Sequence, residues 1–457
     1  MAFGIKAGLS TKDATQVTRA LCEHLAGFTF YALPAEVVHA ARRGVLDWIG
    51  CALAGCRHPT LDKLNHVLSA TSGRPVAGVI GRNAKLGVLD APLANGQAGH
   101  VLDYDDTHMG GTVLHTSSPT LAALFALADR DGAAGTEFIA AYVAGFEAGV
   151  RTGQGAPKHH DGGWHLTGTL GTLAAGAAAG KLLALDATQM TYALGIAATQ
   201  SAGMQQNRGT MCKSFHAGKA ASSGVLAALL AQQGFDSSQE ILEGRKGFCR
   251  IYSTIARPEL VTADLGERWE ILRNGHKPYA CGVVLHPPID AMIDLAMQVS
   301  TPAESVEAVE LRVHPHVISI TGVVEPQTGL QSKFSIYHSA AVAFIDRDAG
   351  IAQYSDEKVR DPRVVALRRK VKVTTDESLR TDEAYATVIA AGARHEASVA
   401  HATGTVDNPM SDAALERKFR SNAEPVIGGA KTNKVVELVW RLESLSDVRE
   451  LTALLGV

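Results

Sequence analysis

The chain has 457 residues, of which 46% are hydrophobic and 19% charged, and its formal net charge is −3. That length exceeds what one hydrophobic core usually serves, and the composition belongs to a globular chain with a large buried interior rather than a disordered one. The near-neutral balance recruits neither nucleic acid nor an anionic membrane surface, so no such partner is expected and electrostatic recognition has to be local.

In chain order, the opening MAFGIKAGLSTKDATQ lacks a charged segment followed by an apolar one, so no secretory signal is expected and the reading is a cytoplasmic protein. From about 13 to 266, apolar residues recur at helical spacing in TRALCEHLAGF, PAEVVHAARRGVLDWIGCALAG, TLAALFALADRDG, TEFIAAYVAGFEAGVRTG, DATQMTYALGIAATQSAG and GKAASSGVLAALLAQQGF. Pro34-Ala35-Glu36 and Asp186-Ala187-Thr188 are helix starts, and several segments close on glycine. The run at 166–185, LTGTLGTLAAGAAAGKLLAL, has the length of a membrane span, but its Ala and Gly content and internal Lys181 indicate a close-packed buried helix. Around Glu267 the texture changes: SVEAVELRVHPHVISI, RRKVKVTTD and YATVIAAGA alternate or carry β-branched runs, separated by the helical PPIDAMIDLAMQ and SAAVAFIDRDAG. After about Asp407, DAALERKFRSNA and NKVVELVWRLESLSDVRELTALL are helical again. The expected fold is mainly α: a helical domain over 1–267, a smaller α+β domain over 268–407, and C-terminal helices over 408–457 that return to the first.

Cys22, Cys51, Cys56, Cys212, Cys249 and Cys281 are scattered and form no C-x-x-C, so they are read as reduced core or pocket-wall residues in a cytosolic protein. Their spacing disfavours structural zinc and iron–sulfur clusters, which want thiolates close in sequence.

Three stretches carry candidate chemistry. The first, GHVLDYDDTHMGGTVLHTSS at 99–118, holds Asp103, Asp105, Asp106, His108 and His115 around Gly110-Gly111. Three readings stay open: a divalent metal cage, though without H-E-x-x-H or EF-hand spacing; a capped helix start with Asp105 or Asp106 and Thr107 solvated in a loop; or an acid/base site in which carboxylates hold imidazoles charged and oriented. The second, HHDGGWHLTGTLGTLAAG, places His165 before a helix whose first turn carries Thr167, Gly168 and Thr169, a start whose free amides would attract a carboxylate or phosphate. The third, QQNRGTMCKSFHAGKAAS, offers Arg208, Lys213, His216 and Lys219 around a turn, and Lys213 is the one expected to point inward toward an anion. No G-x-G-x-x-G after a strand, no G-x-x-x-x-G-K-[ST] and no G-x-S-x-G occurs, so dinucleotide, nucleoside triphosphate and serine-hydrolase chemistry lose support.

With HKPYACGVVLHPPIDA and SKFSIYHSAAVAFID, these stretches occur in an order that resembles the MmgE/PrpD family of 2-methylcitrate dehydratases, cis-aconitate decarboxylases and iminodisuccinate epimerases, over nearly the whole chain. The resemblance implies a helical domain closed by the C-terminal segment, an α+β lid, a homodimer, and a cofactor-free site between domains with no metal. It carries pocket roles onto Asp103, Thr107, His115, His165, Lys213 and His286. The position of a pocket tyrosine in the decarboxylase branch falls on His338, beside Tyr337, and the loop from Thr107 to His115 is longer than in that branch. The substrate implied is a small di- or tricarboxylate. His115 and His165 are the expected acid/base pair, supplied by imidazoles titrating near neutrality without a large shift, with Asp103 orienting or charging one of them. Lys213, His165 and the amides at Thr167 to Thr169 would stabilise the developing negative charge. Thr107, Thr167, Arg208, His286, Tyr337 and His338 are candidate substrate contacts. The leading expectation is a hydro-lyase acting on a 2-methylcitrate-like acid, with epimerisation or decarboxylation as alternatives.

Overall fold

The computed structural model describes residues 16–299 and 302–457. The expectation about a secretory signal falls, Gln16 apart, outside these residues. The first part of the chain folds into helices Val17–Gly27, Ala35–Gly55, Pro59–Thr71, Asp90–His100, Ser117–Asp131, Gly135–Gly155, Leu166–Leu182, Ala187–Ala198 and Met211–Gln232. Where the sequence offers a cap, the helix starts there: Pro34 precedes Ala35 with Glu36 in the first turn, and Asp186 and Gln189 form a reciprocal capping box. Pro59–Thr71 carries Leu61, Leu64 and Leu68 at helical spacing, whereas Asp90–His100 has no apolar stripe and is not announced by the sequence. The second, DAPLANGQAGH, is buried along most of its length because glycines admit its neighbours: a Cβ on Gly96 would lie 2.8 Å from Gly218 Cα, and one on Gly99 would lie 2.2 Å from Trp48 Nε1.

Leu166–Leu182 is the axis of the helical part, and every residue from 166 to 180 is buried. Small residues let Met211–Gln232 approach it at backbone distance: a Cβ on Gly224 would stand 2.5 Å from both Ala175 Cβ and Gly176 N. The apolar run is therefore wrapped in protein, and no helix among the described residues is long and apolar enough to cross a membrane.

The later part of the chain holds a four-stranded sheet in the order Val371–Thr375, Val306–Val313, Ala384–Ala390, Ala393–Val399, with only the first pair parallel. Helices His286–Gln298 and Ile336–Asp346 pack against it, and Val309, Leu311, Val313, Ala386 and Val388 enter a second core with them. Two details differ from the sequence pattern. VHPHVISI does not continue the strand: His314 caps and Pro315 begins a short helix, Pro315–Thr321, because proline fits the first helical position and cannot donate to a ladder. Ala393–Val399 is an edge strand whose mixed polar sequence hides its register.

The C-terminal helix Asp412–Trp440 returns to the helical part, where Phe419, Ala423 and Val435 share a core with Ala41, Val45 and Ile49. It bends at Gly428 (φ 77°), three residues after Pro425. The helical pattern of the last segment breaks after Trp440 into a 3-10 turn and the short Arg449–Thr452, where Asp447 takes the Arg449 amide at 2.9 Å.

Candidate active site

After Asp90–His100 the chain turns tightly before the two-residue strand Thr107–His108, which pairs with Asn274–Gly275. Asp103 sits in this turn in left-handed conformation (φ 54°), which aspartate tolerates better than most residues. Three successive carbonyls here each accept from a buried ammonium of a different distant segment. Lys333 donates to Leu102 O at 2.7 Å, Lys277 to Asp103 O at 2.9 Å, and Lys418 to Tyr104 O at 2.8 Å. Lys418 is itself paired with the buried Asp47 at 2.6 Å. Both later segments of the chain thus hold the turn by charge-assisted bonds whose loss would strand buried ions.

The Asp103 carboxylate then meets Lys213 Nζ at 3.0 Å and Lys277 Nζ at 3.1 Å, with His115 Nε2 at 4.0 Å. Burial alone would raise its pKa, but Lys213, then Lys277, His115 and His100, overcome that and hold it well below the usual carboxylate range. His115 Nδ1 donates to the Asp106 carbonyl at 2.7 Å and lies 3.1 Å from Thr107 Oγ1. Its Nε2 is therefore the lone-pair nitrogen of the neutral ring. Burial pushes His115 down to about 3 and, with Lys213 adding to it, His165 well below its ordinary value. This corrects the expectation of imidazoles titrating near neutrality: both rings are neutral bases because little water reaches them.

These groups form one wall of a cavity of about 460 Å³. Asp103, Thr107, His115, His165, Lys213 and Arg208 line it, and so does Lys277. Facing them are His316, from the short helix after the first long strand, and Arg380, Asp382 and His401 from the sheet-bearing part, with Val283, Val284, Ile320 and Val406 supplying an apolar side. Arg208 also lies 3.2 Å from His160 Nε2.

Four candidates do not line the cavity. Thr167 is fully buried behind the wall, where its hydroxyl accepts from the His115 amide at 3.4 Å. His286 is buried on the second core, near Lys277 but outside the cavity. His338 Nε2 is turned away onto the Gln353 carbonyl at 2.8 Å, and Tyr337 packs against the second core. The anion site expected from the helix start is also altered, because the amides of Gly168 and Thr169 already donate to the His165 carbonyl at 2.9 and 3.2 Å.

Of the three readings of the 99–118 stretch, the solvated loop fails, since Asp105, Asp106 and Thr107 are all buried. The five-ligand cage does not assemble either. Asp106 turns to Ser117 and Asn274, and His108 turns to Glu270 at 3.2 Å. Smaller donor groups do exist: His100, Asp105 and His115, whose facing atoms already bond to one another or to backbone, and Asp382, His401 and Asp407 at the cavity's outer side.

Lys277 is the main residue that sequence reasoning missed. It lies in HKPYACGVVLH, but nothing in that spacing says its ammonium crosses to Asp103. His100 carries no signal in the sequence because a helix end looks alike whether solvated or buried, and Asp105 is read there only as a metal ligand, a solvated cap or one of several orienting carboxylates, not as the partner of His100. His216, quoted in the basic turn, meets His165 through their Nδ1 atoms at 3.0 Å.

Residues 19–261 match the model of the MmgE/PrpD N-terminal domain and residues 279–442 that of the MmgE/PrpD C-terminal domain. The chain is 29% identical to the cis-aconitate decarboxylase of Aspergillus terreus, with 96% of each chain covered. It is 27% identical to a cis-aconitate decarboxylase-like protein of Aspergillus oryzae, over 98% of this chain and 99% of the relative. To the cis-aconitate decarboxylase of Mus musculus it is 26% identical, over 96% of this chain and 93% of the relative.

Proposed function

The chain belongs to the MmgE/PrpD family, and from that premise we propose that it is a lyase that releases carbon dioxide from a small, cis-aconitate-like polycarboxylate. The observation that carries the reading is the convergence of Asp103, Lys213, Lys277, His115 and His165 on one wall of the cavity. Relatives named as decarboxylases, matching over almost the full chain, are what favour decarboxylation over dehydration.

Breaking the bond to a departing carboxylate leaves an electron pair on carbon, and that charge needs fixed positive groups in a site poor in water. Lys213 and Lys277 are those groups, and Asp103 holds both at one point. Thr107 and Arg208 are placed to take the remaining carboxylates. Carbon must then gain a proton. His115 and His165 are neutral in the free protein, and a polyanion beside them raises their proton affinity, so substrate and proton enter together.

Dehydration of a 2-methylcitrate-like acid would use the same residues, with an imidazolium protonating the leaving hydroxyl, and epimerisation of an iminodisuccinate-like acid would move one proton between faces. Incubation with each acid in heavy water separates the three. The expected result is one carbon dioxide per cis-aconitate consumed, with loss of activity in Lys213→Ala and His165→Ala. Unsaturated-acid absorbance from 2-methylcitrate without gas would replace decarboxylation by dehydration, and deuterium exchange without either would replace it by epimerisation. The assembly that goes with this reading is a homodimer, which sedimentation at assay concentration tests.

A further inference from the structure

Beneath the cavity wall lies a second imidazole–carboxylate pair that the steps above leave unused. His100, the last residue of its helix, is 1% exposed and Asp105 is 0% exposed. The His100 Nδ1 donates to the Asp105 carboxylate at 2.9 Å, and Ser118 Oγ holds the same carboxylate at 2.7 Å. The ring stacks on His165 (centroids 5.4 Å, planes 22° apart) and lies 4.8 Å from the His115 ring. His100 Nε2 is buried with no hydrogen-bond partner among the described residues. A buried ring nitrogen left this way calls for a water or a ligand.

A small chamber of about 20 Å³ has His100 in its lining. Its inner wall is His100, Asp103 and Lys213, its side is Ser214, and its outer wall includes Thr210 and Met211, both exposed. That is room for about one water, with polar groups enough to hold it. The chamber shares Asp103 and Lys213 with the main cavity, so it lies between solvent and the reacting groups.

We propose that His100, held by Asp105, relays protons from solvent to the cavity imidazoles through a water in this chamber. The inference deepens the lyase reading, and its kinetic arm rests on that reading. In decarboxylation the bond from carbon to the carboxylate breaks, its electron pair stays on carbon, and a proton from His115 or His165 forms the new C–H bond. The donor ring returns to the neutral form it has in the free protein. When the next polyanion raises that ring's proton affinity, a solvent proton taken up at His100 Nε2, with Asp105 as counter-charge, passes on from Nε2 to it through the chamber water. The net transfer is one solvent proton to carbon, and no oxidant or reductant is needed. The charged and titratable groups facing His100 and its chamber are Asp105 and Asp103 from the turn, His115, His165, His216 with Lys213 from the helix Met211–Gln232, Lys277 across the turn, and Lys333, which lines the chamber. His100 does not line the main cavity, so it acts through the rings that do and is a positioning residue.

The kinetic test compares wild type with His100→Gln, Asp105→Asn and Ser214→Val, the last filling the chamber while leaving both relay groups intact. The expected result is a fall in kcat of about a hundredfold in His100→Gln, with KM changed less than about twofold. A larger solvent isotope effect on kcat is expected in all three. Unchanged kcat and isotope effect in a folded His100→Gln or Ser214→Val overturns the relay. The second test needs no turnover: nitrogen-15 histidine NMR reads exchange of the His100 ring protons with solvent, assigned by their loss in His100→Gln. Slower exchange in Ser214→Val supports the relay, and equal exchange overturns it. A wild type that consumes no polycarboxylate would overturn the lyase reading alone, because the exchange measurement still decides the relay.

Discussion

The Nδ1 atoms of His165 and His216 lie 3.0 Å apart, so one carries a hydrogen and the other a lone pair, and the two neutral rings are locked in opposite tautomers. Burial, with His100 and Lys213 adding to it, pushes His216 down to about 4. Replacing His216 by Phe removes the bond that fixes His165 while keeping the pocket filled. The expected outcome is a roughly tenfold to hundredfold fall in kcat from misorientation of His165. Steady-state kinetics with the folded variant checks it, and an unchanged kcat would show that His165 is held by packing alone.

Asp103 has two ammoniums, and they differ in what they are expected to do. The Lys277 side chain is 1% exposed and that of Lys213 is 14% exposed. Lys277→Met leaves the Asp103 carbonyl without its buried donor and the Asp103 carboxylate with Lys213 alone, and should lower stability by about 3 kcal/mol. Lys213→Met should be milder in stability and severe in kcat. Urea unfolding beside turnover assays separates the two, and equal destabilisation by both would contradict this division of roles.

Acid should weaken the fold earlier than carboxylate protonation would. Burial is the first cause of the low proton affinity of His115, His159 and His286, each pushed down to about 3, and of His338, pushed down to about 4. In the unfolded chain these rings take protons below about 6.5. The native state then binds fewer protons, so stability falls as pH drops from that value toward each native value, by about 1.4 kcal/mol per unit per ring. Asp106 and Glu147, both raised to about 7 mainly by burial, run the opposite way: their contribution is present at low pH and lost as pH rises toward 7. Burial also raises Asp47 and Asp290, but it lowers His165, His216 and His276 as well, so the lowered rings outnumber the raised acids. Urea midpoints at constant ionic strength should therefore drop between pH 6.5 and pH 4, and His286→Phe should flatten the slope.

Substrate binding should take up protons. A polyanion beside neutral His115 and His165 raises their affinity for protons, as burial lowered it. Calorimetric heats measured near pH 7 in buffers of different ionisation enthalpy would then diverge with the sign of uptake. Heats independent of buffer would mean that neither ring charges on binding.

Gly224→Ala tests the close approach under the site. The added methyl would meet Ala175 Cβ and Gly176 N at 2.5 Å, and backbone cannot yield as a flexible side chain does. A loss of about 1 to 3 kcal/mol is expected. Thermal unfolding measures it, and a neutral result would show that the two helices can slide apart.

The sequence by itself determined the helical character of the first part, through apolar spacing and through caps such as Pro34 and Asp186, whose signals lie within one turn of where they act. Local pattern marked the 99–118 cluster, His165, Lys213 and Arg208 as chemistry-bearing, and the family resemblance narrowed the cluster to Asp103, Thr107 and His115. Tertiary structure decided the rest. Lys277, Lys333 and Lys418 converge on three neighbouring carbonyls from segments far along the chain, and no local pattern encodes such a meeting. Burial is likewise a property of the assembled fold. It turned His115 and His165 from groups titrating near neutrality into neutral bases, and it set His338 and His286 behind the cavity rather than in it.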